Sequence, residues 1–413
     1  ALDLARAEGG RIPLADLLAD AIRHASSGAA VSACEARTQA LEVDALTAAP
    51  GFAARFLVDG KPAQAGTMRR FEALAETLAY LAHAGLDDFY RGDIGHEIAA
   101  DCERVGALVT QPDLEAYHAV LRAPLALRLE GRVHYNTPPP TQGLAALLIL
   151  GLFDRLGIGS ADGFAYVHAL VESTKRAFAI RDIVCADFDH LRHDVARFLT
   201  QAALAREAGA IRMDRAARLP VAAAKGDTVW MGAIDAQGLA VSYIQSIYWE
   251  YGSGCVLPRT GILMQNRGAA FSLDEKSINP LEPGRKPPHT LSPALVVFDD
   301  GRVMPMGSMG GDGQPQFQAQ IFSRYAFGAP LLDTITAPRF LFGRTWGERT
   351  AALRLEDGCE PALVKALEKA GHVIAAAPAG ADLFGHAGAL VRHRRGEVEA
   401  AHDPRADGGA AGF

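Results

Sequence analysis

Gly226–Gly254 reads GDTVWMGAIDAQGLAVSYIQSIYWEYGSG, and the chain changes character there. Val229–Ile234 is a run of strand formers, Asp235-Ala236-Gln237-Gly238 is a turn, and Leu239–Ile247 supplies the returning arm of a hairpin. Upstream the texture is helical. Leu14–His24, Thr67–Ala84, Gly95–Gly106 and Asp162–Phe178 carry apolar residues at helical spacing, and Gln111-Pro112-Asp113 opens another helix. Gly143–Phe153 is apolar throughout and predicts a buried helix. Leu125–Asn136 alternates as a strand and stops at Thr137-Pro138-Pro139-Pro140, which excludes helix and central strand. Downstream, Leu295–Phe298 and Arg302–Met306 flank Asp299-Asp300-Gly301 as a second hairpin. Helices are predicted over Phe317–Phe327 and Glu360–Ala370, and closing strands over Ala387–Arg392 and Val398–Ala401. Val221–Gly226 reads as an exposed linker and Asp403–Phe413 as an irregular tail. Helices, then paired hairpins, then helices, without a βαβ rhythm, predict an α+β fold.

Of 413 residues, 49% are hydrophobic and 22% charged, which supplies a large globular core. The formal net charge of -7 argues against a nucleic-acid partner, which leaves a basic footprint. No stretch reaches bilayer-spanning length, so no membrane partner is expected. Five scattered cysteines (Cys34, Cys102, Cys185, Cys255, Cys359) form no CxxC pair. They read as reduced, mostly buried thiols, which favours the cytoplasm over the periplasm and gives no metal site. Ala1–Glu8 has helical character with no capping residue before it, so a preceding segment is expected.

Two features could carry chemistry. At Gly226-Asp227-Thr228 a threonine can attack the preceding carbonyl if the backbone is strained, at about 1–3 kcal/mol per distorted residue. Cleavage would free an α-amine with a reference pKa of about 7.7–8.0, able to accept the hydroxyl proton. The alternative is a turn with a capping Asp at a strand start. The second feature is Gly307-Ser308-Met309-Gly310-Gly311-Asp312-Gly313, between a strand and a helix. Its backbone N–H groups suit an anion or oxyanion, though a simple tight turn reads the same way. No dinucleotide or P-loop pattern is present. His96-Glu97 opens like a zincin, but Ala100 breaks the motif. His190 and His193 near Asp187 and Asp189 read as a solvated loop, and Arg344-Thr345-Trp346-Gly347 as loop packing.

The Gly226–Gly254 stretch resembles the start of the small subunit of γ-glutamyltransferases. PRTGILMQNRGAAFS (Pro258–Ser272), GRKPPHTLSPALVV (Gly284–Val297), GSMGGDGQPQ (Gly307–Gln316), APRF (Ala337–Phe340) and DPRADGGAAGF (Asp403–Phe413) follow in that family's order. FYRGDIGHEIAAD (Phe89–Asp101), LVTQPDLEAYHA (Leu108–Ala119) and NTPPPTQG (Asn136–Gly143) resemble its large-subunit motifs. The resemblance runs nearly end to end. It implies the four-layer αββα sandwich of N-terminal-nucleophile hydrolases, a large subunit over 1–227 and a small subunit over 228–413 cut from one precursor. It also implies that both form one structural domain, that a segment precedes residue 1, and that no cofactor is needed. Pairing into a homodimer is expected.

The resemblance makes Thr228 the nucleophile and Asp227 the donor of the cleaved carbonyl. Ser246 stands for a second threonine that bonds the nucleophile, and Gly310 and Gly311 for the oxyanion pair. The departures bear on substrate. The acid that would hold a glutamyl ammonium is replaced by Ala270, and its Gln or Glu neighbour by Arg267. Tyr248 stands where the family has Asn, and His289 and Thr290 replace its paired serines. Arginine binds carboxylates bidentately. The expected partner is therefore a small amide bearing a carboxylate, as in the oxamate amidohydrolase branch, with Asp312 and Gln314 as further contacts. A γ-glutamyl hydrolase or transferase, a β-lactam side-chain acylase and a non-catalytic binding protein of the same fold are the alternatives.

Overall fold

The computed structural model describes residues 1–218, 227–343 and 350–413. The Val221–Gly226 linker and the Arg344–Gly347 loop lie outside them. Two compact units are distinguished, one of residues 1–122 and 250–266, the other of 123–249 and 267–413. Each contains chain from both sides of Thr228, so compaction does not follow the subunit boundary expected there.

The first unit is helical, with Leu14–Ser27, Ala33–Leu46, Glu72–Ala84 and Asp93–Val105 as its longest helices. Thr110 and Asp113 form a capping box that starts Gln111–Ala116. The helix expected from Thr67 begins at Glu72, because Met68–Arg69 pairs with Ala29–Ala30. Phe52, Phe56 and Val256 make one small core, and Ile98, Cys102, Leu114 and Leu257 another.

The second unit is built on a six-stranded antiparallel sheet. Its order is Val398–His402, Ala387–Arg392, Val303–Ser308, Ala294–Phe298, Arg132–Asn136, Leu125–Leu129. The single strand expected over Leu125–Asn136 is thus a hairpin turning at Glu130-Gly131. Its apolar alternation runs on through the turn, so hairpin and strand look alike in sequence. One face of the sheet is covered by the helices Gly143–Arg155, Gln314–Ala326 and Leu331–Thr336, and Gly163–Val184 packs against the first two. Residues 143–153 of the first are all buried, as their apolar run predicts.

The other face of the sheet carries the hairpin of Asp227–Ile234 and Ala240–Tyr248. Gly307 and Gly388 are register partners, and the Trp230 indole lies over both. A Cβ at Gly307 would stand 2.0 Å from that ring, and one at Gly388 2.4 Å. No side chain but hydrogen fits at either position. Trp230 Nε1 donates to Ser242 Oγ at 3.0 Å, and Ser242 Oγ donates to the Met306 carbonyl at 3.3 Å, so the polar end of the half-buried indole is satisfied. Successive strand residues point to opposite faces, so Met304, Met306, Ala387 and Ala389 pack under the helices while Gly307 and Gly388 meet the hairpin.

Two motifs given no role by sequence meet behind this sheet. Arg339, fully buried, pairs with Asp403 at 2.6 Å, and Arg405 bridges Asp403 at 3.0 Å and Glu356 at 2.6 Å. Arg339 also donates to the Phe384 and Gly385 carbonyls, and Asp403 accepts from Ala387 N–H. The tail from Asp403 is irregular, as expected, but its first residues are clamped. Removing one partner of such a network strands a buried charge, at about 3–5 kcal/mol. Asp403→Ala is therefore expected to lower the unfolding free energy from a chemical melt by that amount; a change below about 1 kcal/mol would contradict the clamp.

Candidate active site

Thr228 lies on the Asp227–Ile234 strand, largely buried, at the edge of a cavity of about 380 Å³. Strand residues 229–232 and 386–390 and tail residues 408–411 line most of the rest of that cavity; Arg267, His289 and the glycine turn do not border it. The strand is irregular there. Asp227 pairs with Tyr248 and Val229 with Gln245, so the facing strand holds one extra residue, a β-bulge opposite Thr228. Tyr248 has φ 86, a left-handed conformation that a bulky residue rarely adopts. Such strain concentrates at functional sites.

The bulge organises a polar shell. Tyr248 N–H donates to Ser246 Oγ at 2.9 Å, and Arg267 Nη2 donates to the same oxygen at 3.2 Å. Arg267 is buried, and its guanidinium stacks on the Tyr248 ring, 4.1 Å from the centroid. Burial pulls the Arg267 pKa down to about 10, so the group remains a cation at neutral pH. His289 stands close enough to feel it. Burial first, and the Arg267 charge second, push the His289 pKa down to about 3. The imidazole is therefore neutral, and its buried Nδ1 has no hydrogen-bond partner among the described residues. Thr290 Oγ1 is in the same condition, as are both ends of the fully buried Gln314 carboxamide. Buried polar groups are normally satisfied, so three such side chains call for a ligand or solvent.

The glycine turn is held from behind. Gly310 has φ 125 and Gly311 φ 52, both in the region that favours glycine. The Met309 carbonyl accepts from Ser308 Oγ at 2.7 Å, and the Gly310 carbonyl from Gly313 N–H at 2.7 Å. In a planar trans peptide C=O and N–H point oppositely, so fixing these two carbonyls aims the N–H groups of Gly310 and Gly311. The Gly311 carbonyl accepts from Gln142 Nε2 at 2.6 Å, and the same amide donates to the Thr290 carbonyl at 3.0 Å. Arg181 Nη1 donates to Gln142 Oε1 at 2.8 Å and to Asp312 Oδ1 at 2.7 Å. Burial opposes the charge on Arg181, but Asp312 and Asp182 outweigh it and keep the guanidinium protonated.

The structure thus links Ser246, Tyr248, Arg267 and His289 on one side, and Thr290, Gly310, Gly311, Asp312 and Gln314 on the other, through the His289-Thr290 peptide. Asp312 faces Arg181 in a buried ion pair, which gives its carboxylate a structural partner. Sequence reasoning missed Gln142, Arg181 and Ser308. Arg181 left a signal, since a charged residue on a buried helix requires a buried counter-charge. Away from this shell, His168 Nδ1 and His372 Nε2 meet at 2.8 Å beside Glu172, a grouping with metal-ligand spacing. Lys175 Nζ bonds Glu172 at 2.7 Å and supplies the positive charge there itself.

The gamma-glutamyltranspeptidase family model matches residues 1–413, and the chain belongs to that family. This bears out the resemblance read from the motifs, and with it an enzyme of the N-terminal-nucleophile hydrolase type. The chain is 48% identical to the oxamate amidohydrolase proenzyme of Klebsiella pneumoniae, covering 100% of this chain and 79% of that one. It is 35% identical to the glutathione hydrolase-like YwrD proenzyme of Bacillus subtilis, covering 98% and 78%. Its fold matches the crystal structure of cephalosporin acylase from Bacillus halodurans with a TM-score of 0.89 at 28% identity, over 98% of this chain and 75% of that one. No helix among the described residues is long and apolar enough to cross a membrane.

A neutral His289 is checked directly by NMR of labelled protein. Its ring signals should show no titration between about pH 5 and 9, since only below its lowered pKa does the charged form appear. A midpoint near 6.5 would mean that neither burial nor Arg267 acts on it.

Proposed function

We propose that the chain cuts itself before Thr228 and then hydrolyses a small amide carrying a carboxylate, with oxamate as the type substrate. The observation that carries this reading is the convergence on the bulge opposite Thr228 of the Ser246 hydroxyl and the Arg267 guanidinium. The first is suited to hydrogen-bond the threonine, and the second is the natural complement of a carboxylate. The name of the Klebsiella relative supports the same substrate class.

In the proposed reaction the α-amine of Thr228 takes the proton of its own hydroxyl, and the oxygen attacks the amide carbon. The oxyanion is held by the N–H groups of Gly310 and Gly311. Collapse breaks the C–N bond, the amine returns a proton, and ammonia leaves an acyl ester on Thr228. Water attacks that ester, the acid departs, and the hydroxyl is restored. Arg267 holds the carboxylate, and Tyr248, His289, Thr290 and Gln314 complete the contacts. The subunits would be 1–227 and 228–413. The four-layer sandwich is part of this reading. Helices, six-stranded sheet and hairpin supply three layers, and Val229, Met231 and Val241 leave the outer hairpin face apolar for a fourth.

A denaturing gel should show two bands cut at Asp227–Thr228, and Thr228→Ala should stay whole and inactive. A wild-type protein that never matures would sink the nucleophile assignment. In a side-by-side assay oxamate should turn over and a γ-glutamyl anilide should not; the reverse would favour the glutathione-hydrolase reading that the Bacillus subtilis relative's name suggests. Arg267→Met removes a charged hydrogen bond of about 1.5–3 kcal/mol, so kcat/KM for oxamate should fall about 10- to 100-fold. The pH profile of kcat/KM should rise through the amine's pKa, near about 8, because only the neutral amine accepts a proton. His289→Asn should leave that limb in place, since His289 is already neutral there.

A further inference from the structure

The glycine turn is pinned through three successive carbonyls, and the pins differ in origin. Those of Met309 and Gly310 come from Ser308 and Gly313, one and three residues away. The Gly311 carbonyl takes one donor locally, the Gln314 N–H three residues on, and a second from Gln142, 169 residues away in sequence. Gln142 is itself fixed at every polar atom of its side chain. Its nitrogen faces two carbonyls and its oxygen faces the Arg181 guanidinium, so the amide has one orientation only. Its backbone carbonyl accepts from Ala145 N–H, at the start of the buried helix Gly143–Arg155. The lever therefore rests on a helix whose first eleven residues, 143–153, are all buried.

We propose that Gln142 is a positioning residue for the reaction. Through one amide it sets the distance between the glycine turn, whose N–H groups hold the oxyanion, and the Thr290 peptide, which carries a substrate-facing hydroxyl. The proposal rests on the reading of the turn as an oxyanion site. If the chain is cut before Thr228, Gln142 and Arg181 belong to the large fragment, and Thr290, Gly311 and Asp312 to the small one. One hold on the small fragment's turn is then supplied by the large fragment, across a joint with no covalent link at Thr228.

Such a residue acts on the transition state more than on substrate binding, because the oxyanion exists only after attack. Gln142→Met removes both donors and the acceptor at nearly constant shape. The expected result is a 10- to 100-fold loss in kcat on oxamate with KM changed less than threefold. Gln142→Glu keeps the Arg181 partner but turns an oxygen toward two carbonyls, and should lose at least as much. Gln320→Leu is the control. Gln320 is equally buried and bonds both backbone groups of Phe340, away from the turn. It should lower thermal stability as much as Gln142→Met while holding kcat within threefold. Equal kcat losses in the two proteins would reduce Gln142 to a structural part and overturn the proposal. A second readout needs no substrate. Amide hydrogen exchange at Gly310–Asp312 should quicken in Gln142→Met and not in Gln320→Leu; unchanged exchange overturns the proposal by itself. Quickened exchange in a protein whose wild type hydrolyses no tested amide would retire the functional reading, and the catalytic part of the proposal with it, leaving only the hold of Gln142 on the turn.

Discussion

The contact between one indole and two facing glycines fixes where the hairpin that carries Thr228 sits on the six-stranded sheet. Trp230 lies on Gly307 and Gly388, and the two strands it touches are neighbours in the six-stranded sheet. A two-stranded hairpin alone is marginal in water, so its position must come from the face it buries. The indole and its cross-strand partner Ile244 are part of that face. Because Trp230 is two residues beyond Thr228, seating the ring also seats the threonine. Because Gly307 is three residues before Gly310, the same contact sets the start of the glycine turn. One apolar interaction thus brings both ends of the candidate chemistry onto a common frame, with no polar group needed to aim them.

Polar interactions then do what apolar packing cannot, which is to orient. The carbonyls of Met309 and Gly310 are occupied, and planarity of each peptide turns that occupancy into a direction for the N–H groups of Gly310 and Gly311, while the Gly311 carbonyl ties the turn to Gln142. The charges behind the turn serve the same end. An unpaired buried guanidinium would cost several kcal/mol, whereas Arg181 has Asp312 and Asp182 against it and keeps its charge. The ion pair contributes little net stability on that account. What it gives is a fixed acceptor-facing group for Gln142, and so a single orientation for an amide that could otherwise flip.

Much of this was legible in the chain and some was not, for separable reasons. The Val229–Ile247 hairpin, the buried Gly143–Phe153 helix and the strand–turn–helix of Val303–Ala326 follow from period and punctuation, which are local. The Glu130-Gly131 turn was lost because its hairpin keeps the same alternation that a single strand would. The strands Phe340–Phe342 and Leu353–Glu356 were lost because they are short and largely buried on both faces, and Ile374–Ala377 because four residues, three of them alanine, leave no period to read. In the site, Thr228, Ser246, Gly310 and Gly311 were found by motif. Gln142 and Arg181 were not, since their partners lie 169 and 131 residues off and a hydrogen bond across that span has no signature in sequence.

The electrostatics of the shell bear on which substrates it can accept. Arg267 stays charged and His289 stays neutral, so the pair carries one positive charge, not two. Had His289 been protonated beside Arg267, the site would have repelled itself and favoured a dianion. With a neutral ring, a monoanionic carboxylate matches the charge, and the imidazole is left to exchange hydrogen bonds. An ammonium group brought to the same place would meet the buried guanidinium at short range. At an effective dielectric of 20, two like charges 4 Å apart repel by about 4 kcal/mol. That is nearly three powers of ten in binding, against a site that has Ala270 where an acid would be needed to offset it. Arg267 therefore does two things in the proposed reaction: it attracts the carboxylate of a small amide and excludes the zwitterionic head of an amino acid.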